Sequence, residues 1–329
     1  MTEATVLDAP SARYDAIRNV DELVRAIDTL HCTPGWVRRE QPLFWPAPRS
    51  TFLPVHWRYA QIRPALLAAG RVIGTDLAER RNFVLRNPVP GNHFATTRTL
   101  VGAYQSILPG ERARSHRHSP HALRVILESH GSYSVVNGRQ HPMESGDIVL
   151  TPGHHWHGHG HEGSEQAFWF DCLDLPLVHL LEPMRAEDHP QHWEPNAVRE
   201  DHSPMRIEWA DTQARLAALA GTPADAHVGR TLDVTSPLMP TITIKVHHWA
   251  SGWRGGAFRH AANAIHVVLR GKGNTTVDEA SFDWSFGDVF VAPLGARVRH
   301  TADEEAVVVS LSDEGLMRFC GFYSLEDVK

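Results

Sequence analysis

The sequence predicts an all-β-dominated chain: two antiparallel β-rich modules behind an N-terminal helical and loop region. From about Thr97 the apolar runs are short and broken by Gly, Pro and Asn, the punctuation of strands and turns. The same pattern returns from about Leu238 to Leu311. The first hundred residues lack it and mix helical spacing with loop.

Taken in order, Met1 to Asn19 carries no apolar stretch of the kind a secretory signal needs. Val20-Asp21-Glu22-Leu23-Val24-Arg25-Ala26-Ile27 spaces its apolar residues as a helix does. Pro34 to Pro54 is rich in proline and aromatic residues and is expected to wrap over a surface. Gln61 to Ile73 is again helical. The first β unit runs to about Asp174, the His-, Glu- and Pro-rich stretch Pro183 to Pro204 is expected to be linker, and Glu208 to Ala220 a helix. The domains expected are therefore 1–96, helical and loop; 97–182, a β module; 183–237, linker with helix; and 238–329, a second β module.

The two β units are an internal repeat. Gly110 is followed by His116, His118, Arg124 and Val125-Ile126-Leu127; Gly252 is followed, at the same offsets, by Phe258, His260, His266 and Val267-Val268-Leu269. Gly146-Asp147-Ile148-Val149-Leu150-Thr151-Pro152 returns as Gly287-Asp288-Val289-Phe290-Val291-Ala292-Pro293. A duplicated module is the simplest account of a near-constant shift across both blocks.

Ten of the 23 histidines fall between His116 and His161. A strand turns alternate side chains to one face, so His116 and His118 share a face with Arg117 turned away. The Gly146–Pro152 stretch reads as turn, apolar strand and turn, with His157 just beyond. Two strands thus bring three imidazoles to one point, and imidazole suits iron, zinc, copper and nickel. In the second copy these positions are Phe258, His260 and Val298, and one imidazole holds no metal. The first copy is therefore the active module and the second a structural or interface copy, with His260 and His300 as remnants. His121, His130, His141, His154, His155 and His161 are expected at loops or the rim, and Val101 and Tyr104 in either the pocket wall or the core.

A formal net charge of −6, with no Lys/Arg block, argues against a nucleic-acid partner. No apolar run reaches membrane-spanning length. Cys32, Cys172 and Cys320 are few, odd in number and far apart, which indicates neither a disulfide framework nor a thiolate metal site and fits a reducing cytoplasm.

Gly-x5-His-x-His followed by Gly-x5-Pro and a later His resembles the cupin pattern, in its all-histidine form, because Ala122 and Leu123 stand where a Glu ligand is usual. The series Glu79-Arg80-Arg81, Asn87-Pro88, Gln105, Pro109-Gly110-Glu111, His116-Arg117-His118, Ala122-x-Arg124, Thr151-Pro152, Trp156-His157-x-His159 and Asp171-x-Leu173-Asp174-x-Pro176 occurs in order. It resembles the bicupin gentisate and salicylate 1,2-dioxygenases, which include 1-hydroxy-2-naphthoate dioxygenases. The resemblance implies two antiparallel β-barrels (double-stranded β-helix, jelly-roll-like), Fe(II) on His116, His118 and His157, and a metal-free second cupin. It implies a substrate pocket with Gln105, Arg124 and Arg80 or Arg81, and catalytic roles for His159 and Asp171. By the same resemblance Arg124 holds a carboxylate, Gln105 a carboxylate or phenol, and His159 bonds the phenolate oxygen or moves a proton. Asp171 orients His159 or another pocket group.

The expected partners are a small aromatic hydroxy acid and O2, with no nucleic acid and no membrane, in a cytoplasmic homo-oligomer, a tetramer by the resemblance. Glu128-Ser129-His130-Gly131, Gly153-His154-His155-Trp156 and Gly158 depart from the family's usual residues, which bears on pocket shape and substrate rather than on the metal. Two other classes fit a cupin scaffold: a metal-dependent isomerase or hydrolase, which consumes no oxygen, and a non-catalytic sensor or storage bicupin, which the intact three-His set speaks against.

Overall fold

The computed structural model describes residues 14–36, 43–75, 77–78 and 80–328. Glu79, which opens the Glu79-Arg80-Arg81 motif, lies outside them, as do 37–42 of the proline- and aromatic-rich stretch. The chain divides into two compact units, 1–47 and 48–329. In the first, the helix Val20–Asp28 is opened by Asn19, whose side chain accepts the Glu22 backbone N–H at 3.0 Å, with Asp21 and Glu22 favouring the positive end of the helix dipole.

The second unit holds both β modules. Its strands are β1 (Val55–Trp57), β2 (Arg81–Val84), β3 (Val101–Ile107), β4 (Arg112–His118), β5 (Ala122–Glu128), β6 (Ser132–Val136), β7 (Arg139–Met143), β8 (Ile148–Thr151), β9 (His157–His161), β10 (Ala167–Leu173), β11 (Ala186–Asp188), β12 (Val198–Arg199) and β13 (Arg206–Ile207). They continue as β14 (Arg230–Asp233), β15 (Thr243–Trp249), β16 (Phe258–His260), β17 (Ala264–Arg270), β18 (Gly273–Val277), β19 (Ala280–Trp284), β20 (Val289–Ala292), β21 (Val298–Ala302), β22 (Ala306–Ser312) and β23 (Leu325–Asp327). The first module is two sheets, ordered β13-β8-β5-β10-β3-β2 and β11-β4-β9-β6-β7-β12; the second is β1-β20-β17-β22-β15-β14 and β19-β18-β21-β16-β23. Each module is thus a jelly roll of two sheets rather than one closed ring of hydrogen bonds. The stretch expected to be linker contributes strands to the first module: β11 pairs with β4, β12 with β7 and β13 with β8.

Strand β5 shows how the modules are joined. Leu123, Val125 and Leu127 enter a core shared with Ile265, Val267 and Leu269 of β17. Ile126 instead joins Met143 and Trp169 in a core of the first module alone. A strand covered on both faces has no polar face, so it reads as a continuous apolar run. Each such side chain contributes about 1.5–3 kcal/mol by burial, and Leu123→Ala would cost about 2–5 kcal/mol. Tyr104 belongs to this shared core: it is fully buried and donates its hydroxyl to Gly287 O at 2.7 Å.

Two helices bridge the modules in matching ways, each starting on one and packing on the other, with Leu66 and Leu216 in the shared core. Strand β1, before the helix Tyr59–Val72, edges β20 of the second module, and β13, before the helix Trp209–Ala218, edges β8 of the first. Each helix starts on a glycine turn, Gly287 (φ +79) and Gly146 (φ +92). A Cβ at these positions would fall 2.3 Å from the Tyr59 ring and 2.5 Å from the Trp209 ring, so backbone angle and close approach both require glycine. No described helix is long and apolar enough to cross a membrane.

Candidate metal centre and its pocket

The strand period and one cross-strand pair assemble the three imidazoles. His116 and His118 alternate with Arg117 on β4, and His116 lies opposite His157 on β9. Arg117 turns away to Glu187. Ring centroids are 4.4 Å apart for His116 and His157, 4.9 Å for His118 and His157, and 5.6 Å for His116 and His118. One ring nitrogen from each lies within 4.8 Å of the others, and among the described residues no other set of three metal-binding side chains does so.

The rings are oriented for coordination. Each Nδ1 faces a backbone carbonyl: His116 that of Arg114 at 3.3 Å, His118 that of Pro120 at 2.8 Å, and His157 that of His155 at 3.0 Å. A carbonyl only accepts, so Nδ1 carries the proton in each and Nε2 keeps its lone pair. His157 Nε2 is buried with no protein partner. Burial, with the charge of Arg80, lowers the His116 pKa to about 3, and burial lowers that of His118 to about 4. Burial, then Arg124, holds His157 well below its usual value. All three are neutral near pH 7, the form a metal takes, and this donor set fits a divalent ion of the imidazole-binding kind.

A buried polar chain lies beside them. Arg80 Nε donates to Gln105 Oε1 at 2.6 Å, Gln105 Nε2 donates to Asp171 Oδ2, and Asp171 Oδ1 lies 3.5 Å from Arg124 Nε. Arg124, paired in register with Asp171 across β5 and β10, also donates to Thr151 Oγ1. Burial lowers the Arg124 pKa to about 10, still charged near neutrality, and raises that of Asp171, an effect that Arg124 opposes. Arg124 Nε and Asp171 Oδ1 are buried without a hydrogen bond.

His159 shares the face of His157, with centroids 6.2 Å apart. Its Nδ1 lies 2.8 Å from Ser134 Oγ, while Nε2 is buried and free. Burial, with Arg124, keeps this ring neutral. The structure therefore brings together His116, His118, His157, His159, Gln105, Arg124, Asp171 and Arg80. Arg81 is separate: it opens β2 just after Arg80, and its guanidinium is held by Glu111 and the Ile73 carbonyl. Asp171 holds Gln105 and faces Arg124 rather than orienting His159. His141 and His161, expected at the rim, are buried strand residues. Gly158 fits a close approach, since a Cβ there would fall 2.7 Å from Ser115 Oγ and 3.0 Å from the Ala113 carbonyl.

Such a histidine set in a double-sheet β module defines a cupin metal site, and the cupin domain model matches residues 103–173. A 5-aminosalicylate 1,2-dioxygenase from Comamonas sp is 32% identical over 308 residues, spanning 84% of this chain and 82% of that protein. A 1-hydroxy-2-naphthoate 1,2-dioxygenase from Nocardioides sp. (strain KP7) is 30% identical over 291 residues, 80% of this chain and 75% of the relative. The fold is that of the salicylate 1,2-dioxygenase from Pseudaminobacter salicylatoxidans, with a TM-score of 0.83 at 23% identity over 94% of this chain and 98% of that one. The chain belongs to the bicupin gentisate and salicylate 1,2-dioxygenase family of ring-cleaving oxidoreductases.

Proposed function

We propose that the chain is an Fe(II)-dependent dioxygenase that opens a 2-hydroxybenzoate-type acid (salicylate, a substituted salicylate or gentisate) between its carboxyl- and hydroxyl-bearing carbons. Both atoms of O2 enter the product. The observation that carries this reading is the buried Arg124, charged and short of one hydrogen bond, beside three neutral imidazoles. A site of this kind is made for an anion.

Fe(II), when bound by His116, His118 and His157, would supply Lewis acidity toward the phenol oxygen and a binding site for O2. The protein does the positioning. Arg124 and Arg80 bind the substrate carboxylate. Gln105 spans Arg80 and Asp171, and so sets the distance between the two cations. Asp171 holds the Gln105 amide and fixes Arg124. The free Nε2 of neutral His159 is placed to hydrogen-bond the phenol oxygen or take its proton. The enzyme acts in the cytoplasm as a homotetramer, a reading supported by the family resemblance and tested by light scattering.

The test is oxygen uptake by anaerobically Fe(II)-loaded protein with gentisate, salicylate, 5-substituted salicylates and 1-hydroxy-2-naphthoate, with absorbance of the ring-opened product followed in parallel. Uptake matched one-to-one with one of these acids is expected. No uptake with any, at one iron per chain, removes the reading in favour of an isomerase or hydrolase.

A further inference from the structure

The second module encloses a cavity of about 290 Å³, at the small end of ligand pockets. It lies where the metal pocket lies in the first. Phe258, His260 and Val298 replace His116, His118 and His157, while His247, His266 and His300 replace Gln105, Arg124 and His159. His266 faces Ser310 across β17 and β22 as Arg124 faces Asp171 across β5 and β10. Even the hydroxyl on the outer nitrogen persists: His300 Nδ1 lies 2.9 Å from Thr275 Oγ1, as His159 does from Ser134. The duplicated pocket has lost its ligand set and kept its space.

Its lining is graded. Phe258, Val298 and Ala264 form an apolar wall. At the inner end, His247 spends Nδ1 on Thr231 Oγ1 at 2.8 Å, but His266, only 5% exposed, has an Nδ1 with no partner. A buried nitrogen of this kind is costly to leave unpaired. Elsewhere on the lining, Lys245 Nζ and Arg318 Nε each bind the Glu314 carboxylate at 2.7 Å, so two cations share one anion. Asp225, also on the lining, is engaged by the backbone N–H groups of His227 and Val228. Lys245 occupies the register position of Ala103, so this cation has no counterpart in the first module. Burial holds His247 and His300 neutral, with pKa values lowered to about 3, so the inner end suits an uncharged polar group.

The geometry points to a second binding site, without metal, for a single-ring aromatic carboxylate: carboxylate at Lys245 and Arg318, ring against Phe258 and Val298, and a ring hydroxyl at His266 Nδ1. This goes beyond ring cleavage at the first module and does not depend on it.

Equilibrium dialysis of labelled benzoate against the metal-loaded full chain tests the site. Wild type is expected to show a binding event that Lys245→Gln weakens about tenfold or more, the loss of one charge-assisted contact. Ala264→Phe, which fills the cavity, removes the same event. Lys245 stands at the partly exposed edge, so its substitution leaves the core intact, and metal content and Tm report the first site and the fold separately. If the ring-cleavage reading fails, the Lys245-dependent event remains. Benzoate binding that both substitutions leave unchanged, or no binding at millimolar benzoate, overturns the proposal.

Discussion

Asp147 accepts the backbone N–H of Trp209 at 2.9 Å, and its counterpart in the second copy, Asp288, accepts that of Tyr59 at 2.7 Å. The Gly-Asp turn that precedes an inner strand in each module therefore also closes the start of a helix from another part of the chain. Asp147 further binds Arg206, Nε at 2.8 Å, and both side chains are buried. Asp147→Ala removes the acceptor of the Trp209 N–H and the nearest carboxylate of Arg206, which keeps only the Asp201 carbonyl and Glu208 at 3.9 Å, and is expected to cost about 3 kcal/mol. Calorimetry should show a Tm lower by about 5 °C. A change within error would mean that the helix is held by its apolar face alone.

Metal content separates the two copies. Wild type is expected to bind one metal per chain, by elemental analysis after dialysis, and His116→Ala, His118→Ala or His157→Ala to lose it. His260→Ala should keep it, because Phe258 and Val298 offer no donors beside His260. Metal lost with His260 and retained without His118 would move the centre to the second module.

Arg80 and Arg81, adjacent in sequence, should fail differently. Arg80 bonds Gln105 in the pocket, while Arg81 is buried on Glu111 and the Ile73 carbonyl. Arg80→Met is expected to lower kcat/KM about 10–100-fold, the loss of one charged contact with substrate, at unchanged Tm. Arg81→Met should lower Tm and leave kcat/KM of the folded protein near wild type. The reverse pattern would place Arg81 in the pocket.

That pair also shows where sequence reading stops. Period-two alternation and the duplicated block made His116, His118 and His157 legible, because a strand's geometry turns spacing directly into a shared face. Which of two neighbouring arginines faces inward depends on the phase of β2, a four-residue edge strand that opens at Arg81 and leaves Arg80 outside it. Tyr104 was open between pocket wall and core because β3 is buried throughout. The bond from Tyr59, the first residue of the helix Tyr59–Val72, to Asp288 of the second module is a long-range pairing that no local pattern carries. The histidines of the second cavity were within reach: carrying the repeat offset from Gln105 and Arg124 leads to His247 and His266.

Acid should destabilise the second module through its buried imidazoles. Burial lowers His300 and His247 to pKa values of about 3. Their folded values thus lie below the unfolded value of 6.5, so the stabilisation is complete above pH 6.5 and is lost as pH falls toward 3. Below pH 6.5 the unfolded chain takes up a proton at each ring and the folded chain does not. At pH 5 this amounts to about 2 kcal/mol per ring. His300 stacks on Trp249 at 5.1 Å and meets the His266 ring edge-on at 5.1 Å, with no carboxylate bonded to it to stabilise the cation. His300→Gln removes one such proton. The Tm of the variant is therefore expected to fall less steeply than that of wild type between pH 7.5 and pH 5. Acid release of metal from the first module affects both proteins alike and cancels in the comparison. Parallel Tm–pH curves would show that His300 protonates within the folded chain, and the neutral character assigned to the inner end of the cavity would fall with it.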